Sequence, residues 1–276
     1  MALTVNTNTS SMKGITQLAA TSRSLSSTFE RISSGLRINK AGDDAAGLGV
    51  AENLDATRRS LRQASRNAND GISMVETAEG SANEVGNIVK RMRELAVQSS
   101  SDTLGTTERG YIQTEFTELS AEVDRIANVA EFNGQKLADG TSASLQVQVG
   151  ADNTANDRIT VTLGDLTAVT LGVDSGSIDL SSAATARTAL TGLDGAMDTI
   201  NGYRAGFGAS QNRLESSVRS LETYTDRIGS AESRIRDADF AYETAQMSRY
   251  QVMQQAGVAA LGQANQINQS ALRLIG

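Results

Sequence analysis

Apolar residues recur along both arms of the chain in steps of three and four, the spacing at which one face of a helix returns to the same side. From Ile15 they run through Leu18, Leu25, Phe29, Ile32 and Leu36, with Ser22 in one expected slot. This is a heptad seam, and it predicts an amphipathic helix that breaks at Gly42-Asp43-Asp44 and resumes at once. A second seam runs through Leu54, Leu61, Ala68, Val75, Ala82, Val89 and Ala96, with Val50, Ala64, Ala78, Val85 and Met92 on the companion position. At 1.5 Å per residue a helix of about fifty residues is roughly 75 Å long, a rod rather than a ball. After "SSSDTLGTTERG" a third seam follows in Ile112, Phe116, Leu119, Val123, Ile126 and Ala130.

Between Ser142 and Leu180 the period falls to two: Leu145, Val147, Val149; then Ile159, Val161, Leu163; then Val169, Leu171, Val173. These runs predict three short strands, and Asn133-Gly134 before them predicts a tight turn. From about Thr185 the heptad returns in Ala186, Leu190, Leu193, Met197 and Ile200 and continues in phase through Phe207, Leu214, Val218, Leu221, Ile228 and Ile235. Gly202, Gly206 and Gly208 keep that register, which predicts close helix contact rather than a break. A last stripe, rich in small residues, holds Tyr250, Met253, Ala260, Ala264, Ile267, Ala271 and Leu274. The plan is palindromic, so a chain that goes out and returns along itself sets its two ends side by side. The fold class is therefore mainly α: an elongated antiparallel bundle or coiled coil of long helices with a small β-hairpin region in the middle.

Composition sharpens this picture. The 276 residues include no His, Cys, Pro or Trp. Average proline usage of about 5% predicts roughly a dozen prolines in such a chain, so the commonest helix breaker is missing throughout. Without His or Cys there is no thiol nucleophile, imidazole base or thiolate metal site. Aromatic residues are only 4% and the net charge is -7, a poor supply for a thick globular core. The opening "MALTVNTNTSSMKG" shows no basic region followed by an apolar one, so if the chain is exported no cleaved secretory signal is expected to take it there, and no segment is long and apolar enough to span a bilayer.

Candidate chemistry is sparse. Asp43 and Asp44 invite an acid/base pair, but carboxylates adjacent in sequence at a helix start fit an N-cap and the helix dipole better. Arg58, Arg62 and Arg66, with Arg59, form a basic stripe; in an acidic chain it reads as a solvated face, or one pairing with Asp55 or with acids of another subunit, not as a nucleic-acid site. Seam methionines such as Met92, Met197 and Met253 are packing residues. No residue is assigned a catalytic, cofactor-binding or metal-binding role, and the chain is read as no enzyme.

Taken together, "ERISSGLRINKAGDDAAGLGVAENL", "IVKRMRELAVQSS", "EFNGQKLADG", "SRIRDADFAYETAQMSRYQVMQQAGVAALGQANQ" and the final "ALRLIG" resemble a bacterial flagellin, in the expected order and over both arms. Two departures stand out: Asn268 lies where a proline is often seen, and Gly276 ends the chain in place of a basic residue.

The resemblance implies an extracellular structural subunit that polymerises into the flagellar filament, a short form with little or no variable outer domain. It implies terminal coiled-coil arms at 1–42 and 236–276, a helical bundle at 43–138 and 182–235, and a β-rich part at 139–181. The filament-core packing residues would be Ile15, Leu18, Leu25, Phe29, Ile32, Leu36, Tyr250, Met253, Ala260, Ala264, Ile267, Ala271 and Leu274. The segment after "SSGLRIN" and its return, Ser233 to Glu243, would be spokes joining the inner helices to the bundle. Implied partners are the chain itself, the flagellar type III export apparatus, a secretion chaperone, and the cap and hook-junction proteins. "KRMRELAVQS" also resembles a segment recognised by an animal innate-immune receptor, with Arg91, Leu95 and Glu115 as contact candidates. No cofactor, nucleic acid or membrane insertion is implied. The rival readings are another axial component, such as a hook–filament junction protein, and a general coiled-coil scaffold.

Overall fold

The computed structural model describes the backbone of residues 7–275 and side chains as far as residue 266. Six α-helices occur among the described residues: α1 Thr9–Ser34, α2 Ala45–Ser99, α3 Thr106–Val129, α4 Ala168–Leu171, α5 Ala183–Arg236 and α6 Phe240–Ile275. Four short strands accompany them: β1 Glu131–Phe132, β2 Gln135–Lys136, β3 Ser144–Gln148 and β4 Arg158–Thr162. The fold is mainly α, as the heptads imply. Two compact units are present: one joins residues up to 56 with those from 227 onward, and the other is 57–226.

The 57–226 unit is built on the predicted seams. Leu61, Ala64, Ala68, Val75, Ala78, Ala82, Val85, Val89, Met92 and Ala96 of α2 are all buried. From Ala68 onward they meet Ile112, Phe116 and Val123 of α3 and Leu193, Ile200, Phe207 and Leu214 of α5 in one core. Small residues alternate with large ones along α2, so neighbouring backbones approach while Phe116 and Phe207 fill the space between. Ion pairs cross between α2 and α5 above this core, Glu79 with Arg204 at 2.8 Å and Arg93 with Asp194 at 2.6 Å, and Asp102 in the loop after α2 meets Arg187 at 3.1 Å.

The C-terminal end of α2 is closed by side chains. The buried Arg109 guanidinium donates to the carbonyls of Ser99 at 3.0 Å and Ser101 at 2.8 Å. Ser99 Oγ donates to the Leu180 carbonyl at 2.6 Å, and Gln113 accepts from the Leu180 N–H at 2.7 Å. Helix-terminal carbonyls buried without partners would each be costly, and these contacts also tie the start of α3 and the approach to α5 to the same point.

The middle of the chain follows the sequence reading in part. Asn133 and Gly134 both have positive φ, 50° and 77°, and join β1 to β2 in a two-residue hairpin. β3 and β4 pair antiparallel with Leu145 opposite Val161 and Val147 opposite Ile159. This hairpin lies so close over α2 that a Cβ on Gly71 would come within 3.0 Å of Val147.

The third alternating run is not a strand. Val169 and Leu171 lie in the one-turn helix α4, with Val169 exposed and Ala168, Leu171 and Val173 buried. Capping chemistry overrides the alternation. Asp165 accepts from the Thr167 N–H at 3.0 Å, Asp124 accepts from the Ala168 N–H at 2.8 Å, and Gly172 closes the turn at φ 66°. Partial burial pushes the Asp165 carboxyl up, but hydrogen bonds from Thr170 and Thr167 outweigh it and hold the group below the usual range.

The glycines of α5 also differ from expectation. The helix runs unbroken through Gly202, Gly206 and Gly208, yet a Cβ at any of the three would meet nothing within 4 Å. Register passes through these positions; close packing does not.

Phe116 is fully buried at the meeting of the bundle helices. Phe116→Ala should destabilise the 57–226 unit by about 3–5 kcal/mol, read as a lowered urea midpoint. An unchanged midpoint would mean that the α2–α3 seam is not what holds this unit.

Candidate assembly surface on the paired terminal helices

In the unit formed by the two ends of the chain, α1 and α6 pack antiparallel. Leu18 sits over Gly257, whose Cβ would meet it at 3.2 Å, and Leu261 sits over Gly14, where the same test gives 2.7 Å. Asn8, which caps the start of α1, also donates to the Ala264 carbonyl at 3.2 Å. Further along, Arg31 meets the buried Glu243 at 3.3 Å.

Ser11, Gly14, Leu18, Thr21, Leu25, Thr28 and Ile32 of α1 lose exposure in steps of three and four, and Ala20, Ser24, Ser27, Glu30 and Arg31 beside them are also partly covered. Ser11, Thr21 and Thr28 are the buried ones. This corrects the predicted seam by one position. Leu18, Leu25 and Ile32 do belong to it, but their companions are Gly14, Thr21 and Thr28, while Ile15 is 57% and Phe29 63% exposed. On α6, Gln254, Gly257 and Leu261 are partly covered, whereas Met253 and Ala260 are exposed. Small and hydroxyl residues at the contact let the two backbones approach, and bulky side chains are left on the flank.

The consequence is an apolar surface in the single chain. Of the residues read as filament-core packing, Ile15, Phe29, Met253 and Ala260 are exposed, and Leu18, Leu25, Ile32, Leu36, Tyr250 and Ala264 are only half-buried. Ile267, Ala271 and Leu274 lie outside the described side chains. Met12, Phe240, Tyr242, Val252 and Val258 are also exposed. Each large side chain of this kind gains about 1.5–3 kcal/mol when fully buried, so the surface holds a substantial drive toward covering.

The chain leaves α1 earlier than predicted. Gly35 ends the helix in the left-handed conformation at φ 72°, and α2 starts only at Ala45, so the break is a ten-residue link and not a point at Gly42-Asp43-Asp44. The two aspartates divide the work. Asp44 Oδ1 accepts from the Gly47 N–H at 2.9 Å and caps α2. Asp43 instead accepts from the N–H groups of Asn39 and Lys40, both at 3.2 Å, and those bonds hold its carboxyl below the usual carboxylate range. Glu30 reaches back to Lys40 at 2.8 Å and to Asn39 at 3.3 Å. The outgoing link meets the returning chain in an antiparallel bridge, Leu36 with Asp237, with Arg37 N–H donating to the Arg236 carbonyl at 2.6 Å and Ala238 N–H to the Gly35 carbonyl at 2.9 Å. Both segments are pinned, backbone to backbone.

The remaining candidates lie in the 57–226 unit. Arg91 is exposed and pairs with Glu115 at 2.8 Å and Glu94 at 3.0 Å, contacts that raise its pKa, Glu115 first. Leu95 does not share that surface. It is 1% exposed and lies in the core, because its position on α2 turns it toward the bundle. Arg62 and Arg66 line a groove with Ser65, Glu222, Thr225 and Asp226. Among the described residues no helix is long and apolar enough to cross a membrane.

Residues 5–143 match the family model described as the bacterial flagellin N-terminal helical region, and residues 190–275 match that of the C-terminal helical region. The chain belongs to the flagellin family. It is 42% identical over 247 residues to a flagellin of Halalkalibacterium halodurans, covering 90% of each chain. It is 40% identical over 285 aligned positions to the flagellar filament 33 kDa core protein of Treponema phagedenis, covering 98% of this chain and 99% of that one. The crystal structure of Bacillus cereus flagellin superposes with a TM-score of 0.50 at 31% identity, covering 56% of this chain and 88% of that one.

In this flagellin-family chain the Asp43 carboxylate links acidity to the order of the 35–44 segment. Its depressed pKa means that its stabilising effect is fully present above the unfolded value, about 3.9, and is lost as pH falls through the lower folded value. Hydrogen-exchange protection at the Asn39 and Lys40 amides should hold from neutral pH down to about 4 and decline below it. Asp43→Asn should lower that protection at neutral pH; unchanged protection would refute the role.

Proposed function

We infer that this chain is a structural subunit that polymerises into the bacterial flagellar filament, assembling through its N- and C-terminal helices. The observation that carries the reading is the exposed apolar flank of α1 and α6, with Ile15, Phe29 and Val252 each more than half exposed in the single chain. Family membership gives that surface its occupant: the same surfaces of neighbouring copies. Subunits that meet through different patches make a heterologous contact, and a rotation that does not close builds a helical filament.

In this reading the arms 1–42 and 236–276 line the inner filament core, with the thirteen stripe residues from Ile15 to Leu274 buried between copies. Residues 43–138 and 182–235 form the surrounding bundle, and 139–181 its small β-rich part. The subunit acts by assembly and not by catalysis. It leaves the cell through the flagellar type III apparatus, accompanied by a secretion chaperone, and meets cap and hook-junction proteins at the filament ends.

Arg91 and Glu115 are the surface-borne members of the set proposed for an animal innate-immune receptor. Such recognition would be incidental to packing in the filament. Arg91→Ala should weaken receptor signalling by the purified monomer, and full signalling by that variant would remove the proposal.

Assembly itself is tested by seeding. The full chain should lengthen preformed flagellar filaments under the electron microscope, and a chain lacking 1–42 and 236–276 should not. Ile15→Ser with Phe29→Ser should slow lengthening at least tenfold, since two large side chains together lose about 3 kcal/mol or more of burial. Growth by the truncated chain would falsify the role given to the arms.

A further inference from the structure

The α2–α5 ion pairs of the 57–226 unit stop short of one place. Glu79–Arg204 and Arg93–Asp194 close between the two helices, and Asp102, in the loop that follows α2, closes on Arg187 of α5. Further toward the start of α2, Arg62 and Arg66 face Glu222 and Asp226 across a groove of about 420 Å³, with Ser65 and Thr225 between them. Two cations and two anions, each pair at i, i+4 on its helix, line one cavity, and no ion pair forms among them. Arg66 turns back to Gln63, with its Nε donating at 3.1 Å. Arg62, Glu222 and Asp226 make no hydrogen bond or ion pair among the described residues.

The outer edge of α3 carries the complementary pattern. Glu118 is exposed and has no ion pair among the described residues. Glu122 is held only by Arg125 from the next turn of the same helix, at 2.6 Å. Residues at i, i+4 stand about 5–6 Å apart on a helix, so Glu118 and Glu122 match the spacing of Arg62 and Arg66, and Arg125 supplies the opposite sign for Glu222 and Asp226.

We propose that the Arg62–Arg66 groove of one copy docks on the Glu118–Glu122–Arg125 edge of α3 in a second copy. This rests on the filament reading above, which supplies a heterologous contact between copies, and it names a charged part of that contact. A polyphosphate is a poor occupant, because Glu222 and Asp226 line the same groove and the chain carries a net charge of -7. The contact sets register and rate more than affinity, since exposed ion pairs each contribute about 0.2–1 kcal/mol and are screened by salt.

Seeded elongation of the full chain in low salt tests this. Arg62→Glu with Arg66→Glu, and separately Glu118→Lys with Glu122→Lys, should each slow elongation about tenfold, with the effect shrinking at roughly 0.5 M salt. The four changes combined in one chain should recover most of the wild-type rate. Thermal unfolding of each variant at the wild-type midpoint confirms that folding is intact, and Arg62→Gln with Arg66→Gln gives the same reading with less repulsion. Reversal variants that elongate like the wild type, or a combined variant no faster than its parents, would overturn this contact and leave the filament reading standing. Wild-type chain that fails to elongate would overturn both.

Discussion

Helix α1 meets α6 through glycine, serine and threonine, and everything outward of that contact follows from the choice. A seam of small residues brings two backbones close with little apolar surface consumed. The large side chains that a self-sufficient hairpin would fold inward, Ile15 and Phe29 among them, are displaced by one position onto the flank. Two helices held mainly by close approach, a few leucines and one Arg31–Glu243 pair are marginal in isolation. The same arrangement leaves a surface whose burial must come from other molecules. Stability and assembly are thus one property in this part of the chain.

The 57–226 unit solves the opposite problem. The α2 seam from Leu61 to Ala96 is buried within one chain, the α2 terminus is sealed by Arg109, and the hairpin sits directly on Gly71. The unit's surface carries charge, part of it paired across α2 and α5 or between Arg91 and Glu115. A unit that is complete in itself and patterned on its surface suits a role in specifying how copies align, while the arms supply the apolar drive to join.

Much of this was legible in the sequence because heptads are long and redundant. Every described α2 position from Leu61 to Ala96 on the predicted seam is buried, and Asn133-Gly134 makes the predicted turn. The failures have separate causes. Periodicity counts apolar residues, so it cannot see a seam whose alternate members are Gly14, Thr21 and Thr28. It assigned Val169–Val173 to a strand because three residues alternate, and missed that Asp165 and Asp124 supply caps for a helical turn. Residue matching to the flagellin pattern put Leu95 beside Arg91 and Glu115, although a helix carries a residue four positions from Arg91 some 40° around its axis, here into the core. Short-range polar chemistry decides the α4 turn and small residues decide the α1 seam, and neither leaves an apolar period, whereas Leu95 follows the period of α2 itself.

The link between α1 and α2 shows how far such chemistry reaches. Of Gly35, Gly42, Gly47 and Gly49, only Gly35 takes a left-handed conformation, and only Gly47 is pressed closely by neighbours, with Ile38 and Asp44 against the place of its Cβ. Glu30, Asp43 and the bridge to Asp237 then fix the intervening residues from three directions. Backbone hydrogen bonds between the outgoing and returning segments, and not glycine content, thus decide the conformation of this link.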